Sequence, residues 1–245
     1  MINVKNLSKS FGGIKALDNV TLNINEGKIT AIIGPNGSGK TTLFNVISRI
    51  IKEDSGEVIL NGKNLCKIKD YEASNEGLSR TFQDVKLFKN LTIKDHMNIV
   101  LRKDNEKIMK SLFGKKEDNT RIIQEILDVV GLEKDMKTIV SELSYGQRKL
   151  LDFAIALAKK HTIIMLDEPV AGINPALRTQ MKKTLKNLRR KGETIALIEH
   201  DMNFVMGLAD YVYVLDYGNI IAEGKPKKIQ KNKKVLEAYL GGGNA

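Results

Sequence analysis

The amino-acid sequence predicts an α/β fold in which apolar strands end in chemistry-bearing residues. Three stretches carry that expectation. The apolar run Ile29-Thr30-Ala31-Ile32-Ile33 leads into Gly34-Pro35-Asn36-Gly37-Ser38-Gly39-Lys40-Thr41, and a helical pattern, Thr42-Leu43-Phe44-Asn45-Val46-Ile47, leads out. A second run, Ile163-Ile164-Met165-Leu166, stops in the acids Asp167-Glu168, and a third, Thr194-Ile195-Ala196-Leu197-Ile198, stops in Glu199-His200. Strand, glycine-rich loop and helix in that order make a phosphate-binding unit.

The loop is read as a phosphate cradle. Glycines at 34, 37 and 39 let backbone N–H groups surround an anion, and the helix opening at Lys40 aims its positive dipole end at the same place. Lys40 can reach terminal phosphates, and the Thr41 hydroxyl can ligate the accompanying magnesium. The bland alternative is a glycine-rich turn beside a lysine.

At 245 residues the chain is long enough for one large domain or one domain with an insertion. No apolar run approaches the length of a membrane span, and the opening Met1-Ile2-Asn3-Val4-Lys5-Asn6 has no signal-peptide core, so the protein is expected to stay where it is made. A single cysteine, Cys66, cannot form an internal disulfide, which fits a reducing cytoplasm. The net charge of +11 comes from lysines scattered along the chain, and aromatics at 5% without tryptophan leave little for a base-stacking platform. Solvated faces are the first reading of that charge, a membrane-adjacent location the second and nucleic acid the third.

Alternating Ile2-Asn3-Val4-Lys5-Asn6-Leu7 and Val20-Thr21-Leu22-Asn23-Ile24 read as half-buried strands. Phe11, beside Gly12-Gly13, is either loop packing or a face on which an adenine stacks. Ser55 to Gly62 is a strand closed by an Asn-Gly turn, and Leu78 to Gln83 a short strand with a polar end. From Asp84 to about Val140 the pattern turns helical. Asp118 or Asn119 caps a segment in which Ile122, Ile126, Val129 and Val130 share a face, and Gly131 ends it; the Lys-rich stretches 103–107 and 114–118 are expected to be mobile surface. Leu143-Ser144-Tyr145-Gly146-Gln147 opens a helix striped by Leu150, Leu151, Ala154, Ile155 and Ala158. Ser144 and Gly146 there form either a second anion site or a plain helix cap.

Adjacent acids at the end of a buried strand need a use, because unpaired buried charge is costly. Asp167 can hold the magnesium through water, and Glu168 can act as general base toward an attacking water. Pro175 opens a helix through Lys191 with Leu177, Met181, Leu185 and Leu188 inside. His200 stands at a strand's carboxyl end, where ligands bind in open α/β sheets. A helix from about 201 to 209, strands at 211–215 and 220–223, and a basic tail follow.

These residues resemble the ATP-binding subunit of an ABC transporter over essentially the whole chain. Gly34 to Thr41 resembles its Walker A, Gln83 its Q-loop, Leu143 to Gln147 its signature, Ile163 to Glu168 its Walker B and His200 its switch histidine, in family order. The resemblance implies a P-loop NTPase core with a mainly parallel sheet, an N-terminal antiparallel β subdomain and an inserted helical subdomain at about 84–160 of one domain spanning 1–245. It implies ATP and Mg2+ as cofactors. Phe11, Gly34, Pro35, Asn36, Gly37, Ser38, Gly39, Lys40, Thr41 and Thr42 would bind nucleotide, and Ser144, Gly146 and Gln147 would close on the nucleotide of a second, head-to-tail subunit. Thr41, Gln83 and Asp167 would meet the metal; Lys40, Glu168 and His200 would be catalytic, His200 at the γ-phosphate. Transmembrane permease subunits would be direct partners and a substrate-binding protein an indirect one, with no nucleic acid, at the cytoplasmic face of the inner membrane.

Tyr145 and Asn174 depart from the commonest pattern, which has Gly and Asp there. Both variants, with Arg80-Thr81-Phe82-Gln83, Ile198-Glu199-His200-Asp201-Met202 and Ala238-Tyr239-Leu240-Gly241, are similar to the branched-chain amino acid importer subgroup. Urea and lipopolysaccharide systems are the alternatives, and a soluble ABC ATPase on nucleic acid or ribosomes, or a P-loop kinase or GTPase, are rivals from other classes. Val85, Leu87, Phe88 and Leu91 are either a groove for a membrane subunit's helix or core of the insertion.

Overall fold

The computed structural model of the protein describes residues 1–101 and 119–241; the stretches 103–107 and 114–118, with the possible cap Asp118, lie outside them. Its elements in chain order are β1 (Ile2–Phe11), β2 (Ile14–Ile24), β3 (Ile29–Ile33), α1 (Lys40–Ile47), β4 (Ser55–Leu60), β5 (Lys63–Asn64), β6 (Leu78–Arg80), α2 (Ile93–Leu101), α3 (Thr120–Val130), α4 (Tyr145–Ala158), β7 (Ile163–Asp167), α5 (Pro175–Arg190), β8 (Ile195–Ile198), α6 (Met202–Met206), β9 (Tyr211–Asp216), β10 (Asn219–Gly224), α7 (Pro226–Ile229) and α8 (Lys233–Gly241). They divide into two compact units, Met1–Arg80 with His161–Glu168 and Leu185–Ala245, and Thr81–Lys160 with Pro169–Thr184.

The first unit holds both sheets. One is antiparallel, in the order β2-β1-β4-β5. The other runs β10-β9-β3-β8-β7-β6, parallel throughout except for β10 on β9. Every residue of β3, β7 and β8 is buried, which is why these strands read as continuous apolar runs: a parallel strand covered on both faces has no solvent side to alternate with. One core joins the two sheets, and α1 supplies Leu43, Phe44, Val46 and Ile47 to it beside Val4, Leu22, Ile32 and Leu215. Truncating a fully buried Phe such as Phe44 costs about 3–5 kcal/mol, so the helix that carries the loop is held firmly from below.

Three strand boundaries differ from those read off the alternation. β1 and β2 run on past Leu7 and start before Val20 because Gly12 and Gly13, at φ 53 and 87, close them into a hairpin that pairs Phe11 with Ile14. β6 ends at Arg80, leaving Thr81 to Gln83 beyond it; its pairing with β7 stops at Met165, while β7 runs on to Asp167 against β8. The Asn61-Gly62 turn joins β4 to β5 with both residues at positive φ, as a tight hairpin turn requires.

In the second unit α2, α3 and α4 bury Ile93, Met97, Ile123, Leu127, Val130, Leu150, Leu151 and Phe153. The inner face of α3 is therefore Ile123, Leu127 and Val130; of the expected stripe Val130 is buried, Ile126 and Val129 are half-buried and Ile122 is exposed. Both sets keep helical spacing, so only packing separates them. Gly131 ends α3 in the left-handed conformation, and Gln180 Nε2 donates to the carbonyls of Val130 and Gly131 at 3.1 and 2.9 Å, satisfying acceptors a helix end leaves open. Among the described residues no helix is long and apolar enough to cross a membrane.

Candidate functional site

Strand register levels the chemistry along one edge of the parallel sheet. Ile32 pairs with Ile198, and Ile198 with Asp167. Gly34 and Glu168 follow directly on β3 and β7, and His200 stands two residues past the end of β8. The loop after β3 is tight: Ser38 N–H donates to the Pro35 carbonyl at 3.2 Å, and the Ser38 carbonyl accepts from Gly218 at 3.0 Å. Gly39, at φ 104, is the N-cap of α1, and a Cβ there would lie 2.3 Å from the Ala16 carbonyl oxygen. Gly34 is crowded in the same way, 2.0 Å from the Leu215 carbonyl oxygen. Two of the loop's glycines thus allow β2 and β9 to approach; Gly37, with nothing within 4 Å, serves the turn alone.

Lys40 is buried, and its Nζ donates to the carbonyls of Gly34 at 2.9 Å and Pro35 at 2.8 Å. Burial lowers its pKa, opposed by the negative charge of Glu168 and Asp167. Lysine, loop and acid pair therefore share one electrostatic environment. Thr41 is exposed at the start of α1, and Phe11 is 46% exposed at the hairpin tip with Lys9 Nζ 5.5 Å above its ring centroid.

Asp167, 1% exposed, accepts from Arg80 at 3.1 Å. Burial lowers the pKa of Arg80 and the Asp167 charge opposes that shift. Glu168 leaves the strand at φ 47, with its N–H donating to the Ile198 carbonyl at 3.1 Å. A non-glycine residue in the left-handed region is a strained corner of the kind that collects at functional sites. It turns the carboxylate out of the sheet, and His200 Nδ1 lies 3.8 Å from Glu168 Oε1.

Gln83, Ser144, Gly146 and Gln147 belong to the second unit. Gln83 is exposed in the loop after β6. Ser144 caps α4 reciprocally: its Oγ accepts from Gln147 N–H at 3.3 Å while Gln147 Oε1 accepts from Ser144 N–H at 3.0 Å. A Cβ on Gly146 would meet Leu177 at 2.5 Å, and one on Gly172 the Tyr145 ring at 3.1 Å. The two departures from the commonest pattern are thereby accounted for locally. Tyr145 lies over Gly172, and Asn174 Oδ1 accepts from Leu177 N–H at 2.9 Å, capping α5 as Asp would.

Sequence reasoning named Arg80 only within a motif and did not place it in the site. The signal was weak: Leu78-Ser79-Arg80 holds a single apolar residue, so the charge does not close an apolar run as Asp167 does. Glu199, fully buried with its N–H donating to the Ile32 carbonyl at 3.3 Å, was passed over beside His200.

Mg2+ takes oxygen ligands and is commonly bound through one or two carboxylates plus substrate phosphates. A buried Asp167 carboxylate and a Thr41 hydroxyl supply that donor chemistry. Among the described residues no group of three or more His, Cys, Asp or Glu could hold a metal alone, so the donors fit a cation that arrives with phosphate.

The ABC transporter family model matches residues 17–171, and that of the branched-chain amino acid ATP-binding cassette transporter matches 219–245. The chain is 36% identical to the probable branched-chain amino acid transport ATP-binding protein LivG of Archaeoglobus fulgidus, covering 98% of this chain and 95% of that one. It is 34% identical to the high-affinity branched-chain amino acid transport ATP-binding protein LivG of Escherichia coli K12, over 98% of each. A nucleotide-free ATP-binding cassette from an ABC transporter superposes with a TM-score of 0.84 at 35% identity, over 98% of both chains. A dimeric post-hydrolysis cassette bound to ADP and Pi does so at 0.82 and 28%, over 92% of this chain and 99% of that one. The chain therefore belongs to the ABC transporter family, as one of the ATP-binding cassettes that hydrolyse ATP to power transport.

Proposed function

We propose that this cassette drives import of branched-chain amino acids, hydrolysing ATP between two head-to-tail subunits docked on membrane permeases at the cytoplasmic face. The observation that carries the catalytic part is the levelled sheet edge, where Lys40, Asp167, Glu168 and His200 converge on one locus. The substrate rests on the relatives' names and on the match at 219–245.

In this reading the backbone N–H groups from Asn36 to Thr42 hold the phosphates within the Gly34-Pro35 turn, Phe11 stacks on adenine, and Thr41, Asp167 and Gln83 serve the magnesium. The metal neutralises charge that develops on the phosphoryl oxygens. Lys40 exchanges its loop carbonyls for phosphate oxygens; burial has already stripped it of water, so the new contacts form at little desolvation cost. Glu168 takes a proton from the attacking water, and His200, next to it, contacts the γ-phosphate. Ser144, Gly146 and Gln147 act on the nucleotide of the other subunit, identical or homologous, within a single domain whose helical insertion covers about 84–160.

The test is Glu168→Gln, which keeps shape and removes the base. It should bind ATP, stop hydrolysis and accumulate an ATP-bound dimer on size exclusion. A variant that stays monomeric with ATP and hydrolyses at the parent rate overturns the assignment.

A further inference from the structure

The geometry points to Arg80 as a positioning residue for the metal: its guanidinium holds the Asp167 carboxylate in the place from which it serves the nucleotide's magnesium. This rests on the reading of Asp167 given above. The side chains of Arg80 and Asp167 are 6% and 1% exposed, so water contributes little to either charge. A carboxylate that dry must be compensated inside the protein. Lys40 directs its Nζ to its own loop carbonyls; Arg80 is hydrogen-bonded to the carboxylate, with Nη2 3.1 Å from Asp167 Oδ2.

The guanidinium is itself fixed on two further sides. Nη1 donates to Ser48 Oγ at 2.7 Å, and that hydroxyl donates to the Phe44 carbonyl at 2.7 Å. The guanidinium carbon stands 5.6 Å from the centroid of the Phe44 ring, whose side chain is fully buried. Ser48 is the C-cap of α1, the helix whose first residues are Lys40 and Thr41. Arg80 therefore sits at the negative end of the helix whose positive end faces the phosphate loop, a favourable place for a cation. It connects the two oxygen donors assigned to the metal: Asp167 directly, and Thr41 through the rigid body of α1.

Register explains why the residue is an arginine. Arg80 pairs with Met165, and Asp167 lies two residues further along β7. The side chain must climb that distance and then offer two donors in a fixed plane, one to Ser48 and one to Asp167. A lysine reaches as a single point charge and cannot hold both directions rigidly.

Groups that orient a metal's ligands typically change its affinity by one or two orders of magnitude when removed. The experiment is a Mg2+ titration of the full chain with a fluorescent N-methylanthraniloyl ATP, alongside binding in EDTA and thermal unfolding. In Arg80→Gln the half-saturating Mg2+ should rise about tenfold, with metal-free nucleotide affinity held within about twofold. Arg80→Lys should fall between this and the parent. Ser48→Ala keeps the charge, frees one arm of the fork and should raise half-saturating Mg2+ about threefold. It decides the matter if Arg80→Gln does not fold. Asp167→Asn separates the two layers: if it leaves the Mg2+ dependence unchanged, the metal reading of Asp167 is wrong. If Asp167→Asn shifts the dependence while Arg80→Gln, or Ser48→Ala in its stead, does not, Arg80 has a structural role only and the inference falls. Equal losses with and without Mg2+ overturn it as well.

Discussion

His200 Nδ1 stands 3.8 Å from Glu168 Oε1, on neighbouring strand ends that the β7–β8 register brings level. That separation is too long for a direct hydrogen bond, so the imidazole is not hydrogen-bonded to this carboxylate. His200→Ala should lower the turnover of ATP by about 10²–10⁴-fold while nucleotide affinity changes little. Steady-state hydrolysis compared with equilibrium nucleotide binding checks this; a parallel loss of both would make His200 a binding residue instead.

Gly39→Ala and Gly37→Ala separate close approach from backbone conformation. Both positions have positive φ, but a Cβ on Gly39 would sit 2.3 Å from the Ala16 carbonyl oxygen, and one on Gly37 meets nothing within 4 Å. Gly37→Ala should cost about 1 kcal/mol, the price of a left-handed alanine. Gly39→Ala should cost about 3 kcal/mol or more, since the hairpin strand must also move. Urea-unfolding midpoints of the two variants give the comparison, and equal costs would refute it.

Asp152, on α4, has its carboxyl pushed up to about 7 by burial, against a hydrogen bond from the Phe82 backbone and the charge of Lys149. The unfolded chain loses that proton near pH 3.9. Between these values the folded state binds more protons than the unfolded one, so stability falls as pH rises from about 4 to 7 and then levels. Asp152→Asn should remove this slope, and the variant's advantage over the parent should be larger at pH 8 than at pH 4. Denaturant midpoints at the two pH values measure it; parallel curves for parent and variant would show that Asp152 is ionised as usual in the folded protein.

Ser144 has two jobs in our reading, and Asp can do only one of them. Ser144→Ala removes the reciprocal cap with Gln147 and should cost about 1 kcal/mol. Ser144→Asp keeps an N-cap of equal quality, so stability should change by no more than about 0.5 kcal/mol, yet its charge repels phosphate. Hydrolysis should fall steeply in Ser144→Asp despite an intact helix. Normal hydrolysis there would leave Ser144 as a cap and nothing more.

By itself the sequence determined what is local. Gly34 to Thr41 fixes a loop between a strand and a helix because glycine conformation and helix capping are decided within a few residues. The same holds for Gly131 as a helix stop, for Ser144 as a helix cap, and for strands that break off at Asp167 and His200. Tertiary structure alone decided what depends on register and facing. It chose Ile123 over Ile122 as the buried side of α3, since neighbouring positions on a helix have the same periodicity until a partner covers one of them. It ended β6 at Arg80, although β7 runs on to Asp167. It joined Arg80 to Asp167, separated by 87 positions in the chain, through a parallel pairing that no spacing in the sequence records: strand register is set by the packing of whole elements, not by the residues that finally meet.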